Sequence, residues 1–226
     1  SKINKFENEL AKLTKRKFSC CVSSGTAALE IAVKGLGIGK GDEVIMPAFT
    51  IISNASAIVK NLAKPVLIDS DPITWNIDIN KIEKKITKKT KAIMAVHVLG
   101  NSTNMSELMK LVKEHDLTLI EDTCESLGSV YKNKYLGTFG KFGTFSFYVS
   151  HQLIAGEGGM LVCNDREDYE ISHTLRAHGW DRGLNNKNNT NFKFINSGFN
   201  LRPLDLTASI GLNQLKRLNI SIGIKR

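Results

Sequence analysis

No apolar run in the chain approaches the roughly 18–20 residues of a membrane-spanning helix. The N-terminal stretch SKINKFENELAKLTKRKF is charged and helical in pattern, without the apolar centre of a signal peptide. Membrane insertion and secretion are therefore not expected. Cysteine is scarce: Cys20, Cys21, Cys124 and Cys163 make neither a Cys-x-x-Cys pair nor a secreted disulfide framework. That argues against a disulfide scaffold and against a cysteine-held iron–sulfur cluster within this chain. Cys20, Cys21 and Cys163 fall in apolar, strand-like runs, so buried free thiols in a reducing cytoplasm are expected. Repeats are absent too, and the only low-complexity stretch is the Asn-rich DRGLNNKNNTN, read as a loop.

What is present is an ordinary globular composition. The 226 residues are 42% hydrophobic and 23% charged, enough to bury a core without a metal or disulfide staple. Lys and Arg outnumber Asp and Glu 31 to 22, a formal charge of +9. A balance of this sign is compatible with nucleic-acid binding. The basic residues are nevertheless scattered over KLTKRK, KIEKKITKKTK and KLVKEH, and no aromatic-rich reading face accompanies them. The expectation is a solvated lysine-rich surface with a modest pull on an anionic substrate, and no nucleic-acid partner.

Short apolar runs alternate with helical patterns. The strand-like runs are FSCCV (18–22), EVIMPA (43–48), PVLID (65–69), KAIMAVHV (91–98), LTLIED (117–122), GTFSFY (143–148) and GMLVCN (159–164). Between them TAALEIAVKGLG, SNASAIVKNL, NIDINKIEKKI and NMSELMKLVKEH carry apolar residues at helical spacing. Asn104 with Glu107 resembles a capping box. After residue 165 the pattern becomes helical, and a last helix is expected in PLDLTASIGLNQLKRL with Pro203 near its first turn. Strands alternating with crossover helices predict an α/β fold, a mostly parallel sheet covered on both faces.

Three segments carry candidate chemistry. Ser23-Ser24-Gly25-Thr26 follows a strand and opens a helix, where backbone N–H groups, a glycine and hydroxyls make an anion cradle. A Ser-Gly-Thr helix cap without a ligand is equally commonplace. Glu121-Asp122 ends LTLIED, at the edge where open α/β sheets bind ligands. An N-cap or loop salt bridge is its bland reading. The third segment, GTFSFYVSHQLIAGEGGMLV, puts Ser146, then His151, then a glycine-flanked acid between two strands. A loop histidine there is either structural or catalytic.

Taken together, SSGTAAL, GDEVIMPAFT, KPVLIDSDPITWNID, KTKAIMAVHVLG, LIEDTCESLGS, GTFGKFGTFSFY, GEGGM and GFNLRPLDLTASIGLNQL resemble the DegT/DnrJ/StrS family. These are fold-type-I, pyridoxal-phosphate (PLP)-dependent sugar aminotransferases. The resemblance implies a three-layer α/β/α sandwich, with residues 1–226 forming the cofactor-binding large domain. It also implies that Gly25 and Thr26 hold the cofactor phosphate at a helix N-terminus and that Ser146 adds a hydroxyl. Asp122 would pair with the protonated pyridine nitrogen, keeping the ring cationic so that it accepts electrons. Glu125 stands where relatives usually carry Gln or His near the ring oxygen. Asn200 matches an asparagine that reaches the phosphate of a neighbouring subunit, implying a homodimer.

The chain departs from the family pattern in three ways. His151 stands where most members have the lysine that holds the cofactor covalently. A branch with histidine here, typified by GDP-4-keto-6-deoxymannose 3-dehydratase, binds pyridoxamine phosphate (PMP) non-covalently and uses the imidazole as a base. Ile51 replaces a frequent ring-stacking aromatic, leaving Phe49 as a substitute. The resemblance also implies a C-terminal small domain of well over a hundred residues, which these 226 residues do not include. The resemblance thus leaves three readings open. One is a 3-dehydratase of a nucleotide-linked 4-keto-6-deoxy sugar, with glutamate regenerating the cofactor. The others are a perosamine-type aminotransferase whose lysine is replaced, and a truncated cofactor-binding pseudoenzyme.

Overall fold

All seven apolar runs form strands of one sheet. The computed structural model describes residues 1–184 and 193–218, so most of the Asn-rich stretch lies outside the described residues. The strands are β1 (Phe18–Val22), β2 (Glu43–Pro47), β3 (Lys64–Ile68), β4 (Thr90–Val96) and β5 (Thr118–Asp122). A small hairpin follows, β6 (Val130–Tyr131) and β7 (Lys134–Tyr135), and then β8 (Phe142–Ser146) and β9 (Gly159–Cys163). The seven-stranded order is β1-β9-β8-β5-β4-β2-β3. Strands β8, β5, β4, β2 and β3 pair in parallel, while β9 runs antiparallel to both β1 and β8. The sheet is mostly parallel, as expected, with one reversed strand.

Helices cover both faces: α1 (Lys2–Thr14), α2 (Gly25–Gly35), α3 (Ile52–Lys60), the single turn α4 (Ile79–Ile82), α5 (Met105–Glu114), α6 (Arg166–Leu175) and α7 (Asp205–Leu215). Strand residues alternate between the faces. Val44, Met46, Ala92, Met94 and Ile120 pack with residues of α2, α3 and α6. Their neighbours Ile45, Ile93, Ala95 and Leu119 pack on α4 and α5 across the other face. Near β1 and β9 that second face is covered by α1 and α7 through Phe6, Leu10 and Ala208. Each large side chain buried in this way contributes about 1.5–3 kcal/mol. The result is the three-layer α/β/α sandwich.

Helix ends follow local chemistry. Asn104 caps α5 by accepting from the Glu107 N–H at 3.4 Å, as expected. The helical pattern over 76–86 shrinks to the one turn of α4 and a following 3₁₀ turn at Glu83–Lys85. Its first residues are held elsewhere: Ile77 bridges to Ser70, and Asn76 exchanges hydrogen bonds with Val98 and Asn101. Likewise α7 starts at Asp205, two residues beyond Pro203. Cys20, Cys21 and Cys163 are buried free thiols, and burial pushes the Cys20 and Cys163 thiols up to about 12. No helix among the described residues is long and apolar enough to cross a membrane.

Candidate active site

The C-terminal ends of the parallel strands open into a cleft of about 590 Å³. This is the sheet edge where open α/β folds place ligands, and the volume suits a cofactor-sized molecule. Six of the seven residues singled out in the sequence line it: Gly25, Thr26, Asp122, Glu125, Ser146 and His151. The seventh, Asn200, lies outside this cleft on an exposed segment bridged to Ala177, its Oδ1 accepting from Arg202.

One end of the cleft is the start of α2. Ser24 is its N-cap, with extended backbone and a hydroxyl that accepts from the Ala27 N–H at 3.1 Å. The first intrahelical bond runs from Ala28 N–H to Ser24 O. The N–H groups of Gly25 and Thr26 precede it, so they remain available to an anion at the positive end of the helix. The Thr26 hydroxyl donates to Ser53 Oγ at 2.9 Å. Ser146 ends β8 directly beside Gly25: a Cβ on residue 25 would stand 2.7 Å from Ser146 Cβ and 3.0 Å from Cys124 Sγ. Only glycine lets the strand end and the helix start meet so closely.

Asp122 forms the floor. It ends β5, aligned with Val96 on one side and Thr144 on the other, which fixes its backbone. Its carboxylate is nearly buried and accepts two hydrogen bonds: Oδ1 from the Cys124 N–H at 3.1 Å and Oδ2 from Asn54 Nδ2 at 2.9 Å. The neighbouring Cys124 thiol, half-buried in the cleft wall, is pushed well above its usual range by burial first and the Asp122 charge second, which disfavours its thiolate.

His151 stands on the segment joining β8 to β9. That segment is folded back on itself: Ala155 N–H donates to Phe147 O, Phe147 N–H to Gly158 O, and His151 N–H to Tyr148 O. Phe147, Leu153 and Ala155 anchor it in the core under α1 and α7. Gly156 takes a φ of +85°, a left-handed turn that favours glycine. Gly159 admits a close approach, since a Cβ there would lie 2.2 Å from Ser24 O. The glycines flanking Glu157 thus serve the return of the chain to the α2 cradle. Glu125, at the mouth, accepts from the Leu99 N–H at 3.2 Å, and its carbonyl accepts from the Gln152 amide. Phe49 and Ile51 both line the cleft with half or more of their surface exposed; Phe49 packs edge-on against Trp75 at 5.5 Å.

Two residues escape sequence reading. Asn54 reads as an ordinary polar helix position, yet it is fully buried against Asp122. His97 reads as the end of a strand, yet it is fully buried beside the cleft, with Nδ1 accepting from Thr103 N–H and Nε2 donating to Glu121 Oε1 at 3.3 Å. Glu121 faces away from Asp122 and also accepts from the N–H groups of Gly137, Phe139 and Gly140. Burial alone would raise its carboxyl, but the His97 ring and these N–H groups hold it below the usual 4.5. A carboxylate of lowered folded pKa contributes stability that is present above 4.5 and lost as pH falls through its folded value. Glu121→Gln is expected to cost about 3 kcal/mol, ~6–12 °C in Tm at neutral pH. The loss should shrink on acidification, as thermal melts between pH 7 and 3 would read.

Comparison with known proteins follows the same lines. The model of the DegT/DnrJ/EryC1/StrS aminotransferase family matches residues 1–226. The chain is similar to the GDP-perosamine synthase of Escherichia coli O157:H7, 42% identical over 231 residues that cover 99% of this chain and 60% of that protein. It is similar also to the GDP-4-keto-6-deoxy-D-mannose 3-dehydratase of Escherichia coli O55:H7, 37% identical over 241 residues, covering 99% and 62%. The solved E. coli GDP-4-keto-6-deoxy-D-mannose-3-dehydratase with bound hydrated PLP superposes with a TM-score of 0.92. That match has 36% identity and covers 97% of this chain and 61% of that one. The chain therefore spans about 60% of the length of the curated relatives it matches.

Proposed function

Because the chain belongs to the DegT/DnrJ/EryC1/StrS aminotransferase family, we propose that it binds PMP or PLP in the described cleft and works in nucleotide-sugar biosynthesis. The reaction we assign is dehydration at C3 of a nucleotide-linked 4-keto-6-deoxyhexose. The observation that carries this choice is His151, an imidazole in the cleft wall where an amine would be required for covalent attachment of the cofactor.

The cleft residues fit such a cofactor. The N–H groups of Gly25 and Thr26 and the Ser146 hydroxyl converge at one end, suited to a phosphate. Asp122 presents a fixed anion on the floor, suited to a protonated ring nitrogen. When bound, the cofactor supplies an amine that condenses with the sugar ketone and a cationic ring that accepts electrons. His151 would take a proton from the amine-bearing carbon onto its own imidazole nitrogen and would return it to the C3 oxygen as the C3–O bond breaks, so that water leaves. Glu125, which lines the same cleft, would stand near the ring oxygen of the bound cofactor.

Glutamate is the amino donor we assign for regenerating the cofactor. Asn200, exposed and away from its own cleft, reaches the phosphate of a second subunit in a homodimer. The 42% identity to a GDP-perosamine synthase favours one second reading, transamination at C4 of the same class of sugar. Incubation with PMP and then a GDP-4-keto-6-deoxyhexose, followed by mass spectrometry, separates them. A released sugar that has lost one oxygen, its C3 hydroxyl having left as water while PMP is consumed to PLP, supports the dehydratase; a keto oxygen replaced by an amine supports the aminotransferase. Absence of any cofactor absorbance would defeat both.

A further inference from the structure

Asp122 is held at two points that differ in kind. The Cys124 N–H on Oδ1 comes from two residues along the same turn. The Asn54 amide on Oδ2 comes from helix α3, sixty-eight residues away in the chain. Strand pairing fixes the Asp122 backbone, but the torsion that turns a carboxylate plane is broad and shallow. Without Asn54 the carboxylate keeps only the N–H and the neighbouring thiol of Cys124, both from one residue of its own turn. The Asn54 amide supplies the second tether and so sets the plane.

The amide itself has one orientation. Its Oδ1 accepts from the Thr50 hydroxyl at 2.9 Å, while its Nδ2 donates to Asp122 and lies 3.2 Å from Met94 Sδ. Turning it over would set a carbonyl oxygen against the carboxylate. Asn54 has no accessible surface, and burying an amide is costly unless its groups are paired. It does not line the cleft, whereas Thr50 and Asp122 do. A hydrogen-bonded chain thus runs Thr50–Asn54–Asp122, from the cleft wall through the interior to the floor.

From this geometry we propose that Asn54 is a positioning residue, which aims the Asp122 carboxylate at the ring nitrogen of the bound cofactor without touching the cofactor. The inference rests on the cofactor reading given above. Its specific consequence concerns the nitrogen alone. An Asp122 turned out of line loses its attraction for a protonated pyridine, while the Thr50 hydroxyl freed in the cleft wall bears on PMP and on an analogue lacking the nitrogen alike.

The test compares equilibrium binding of PMP with that of its 1-deaza analogue, in which the ring nitrogen is a carbon. The wild-type protein is expected to prefer PMP. Asn54→Leu, close in shape and without the amide, should narrow that preference by roughly tenfold, through weaker PMP binding. Affinity for the deaza analogue should change far less. Asn54→Ser, too short to reach Asp122, should do the same and serves if the leucine variant fails to fold. Equal weakening of both ligands would mark Asn54 as merely structural and overturn the proposal, as would an unchanged preference. If the wild type bound neither ligand, the cofactor reading would fall and this inference with it. If it discriminated and both variants discriminated equally, only the role of Asn54 would fall.

Discussion

Replacing His151 with asparagine is expected to lower the rate of dehydration by roughly 10²–10⁴-fold, the usual worth of a positioned acid–base group, while leaving PMP affinity nearly unchanged. The Gly25 and Thr26 N–H groups lie at the start of α2, Asp122 ends β5, and Ser146 is fixed in β8, five residues before His151, so the variant keeps all four. The segment carrying His151 is anchored by Phe147, Leu153 and Ala155, none of which is altered. Single-turnover assays with preloaded PMP read the loss directly. A rate within a few-fold of wild type would remove His151 from the reaction. His151→Lys gives the complementary result: incubated with PLP, the variant should be trapped as a borohydride-reduced lysine adduct, where the wild type yields none. A gain of 4-amino sugar with glutamate in that variant would favour the aminotransferase reading.

Asp122→Asn is the second large effect. An amide in place of the carboxylate leaves the ring nitrogen without an anion to hold its proton, and it sets an amide against the Asn54 amide. Loss of one preorganised electrostatic partner of this kind costs roughly 10²–10³-fold in rate. The absorbance of bound cofactor should respond as well, because the ring changes its protonation. PMP should lose its advantage over the deaza analogue entirely, a stronger form of the effect expected for Asn54→Leu. An unchanged spectrum and rate would show that Asp122 does not face the ring nitrogen.

Much of the fold was legible because its signals are local. The strand run at 18–22 is bounded as the apolar residues suggest, the run at 159–164 loses only Asn164, and the Asn104 cap follows from side-chain chemistry alone. The hairpin at 130–135 was not legible: it is polar, and its turn depends on Lys132 and Asn133 at φ of 48° and 64°. The reversal of β9 was hidden as well, since an antiparallel strand buried on both faces has the same apolar run as a parallel one. At the site, Gly25, Thr26, Asp122, Ser146 and His151 announced themselves by lying at strand ends and loop turns. Asn54 did not, because its meaning comes from a carboxylate far along the chain. Asn200 does not join the lining of the cleft, although its neighbour Leu201 accepts a hydrogen bond from the Ser23 N–H just ahead of the α2 cradle.

The reversal of β9 has a further consequence. Ser146 closes one strand, Gly159 opens the next against Ser24, and His151 lies on the stretch between them. The Ser146 hydroxyl of the candidate anion seat and the proposed base His151 therefore hang on one continuous hairpin whose two feet pair at Ser146 and Gly159. Their separation is a gauge length cut into the scaffold, insensitive to any swing of outlying parts. Chemistry that needs a base at a set reach from a phosphate gets its measure from the main chain rather than from closure.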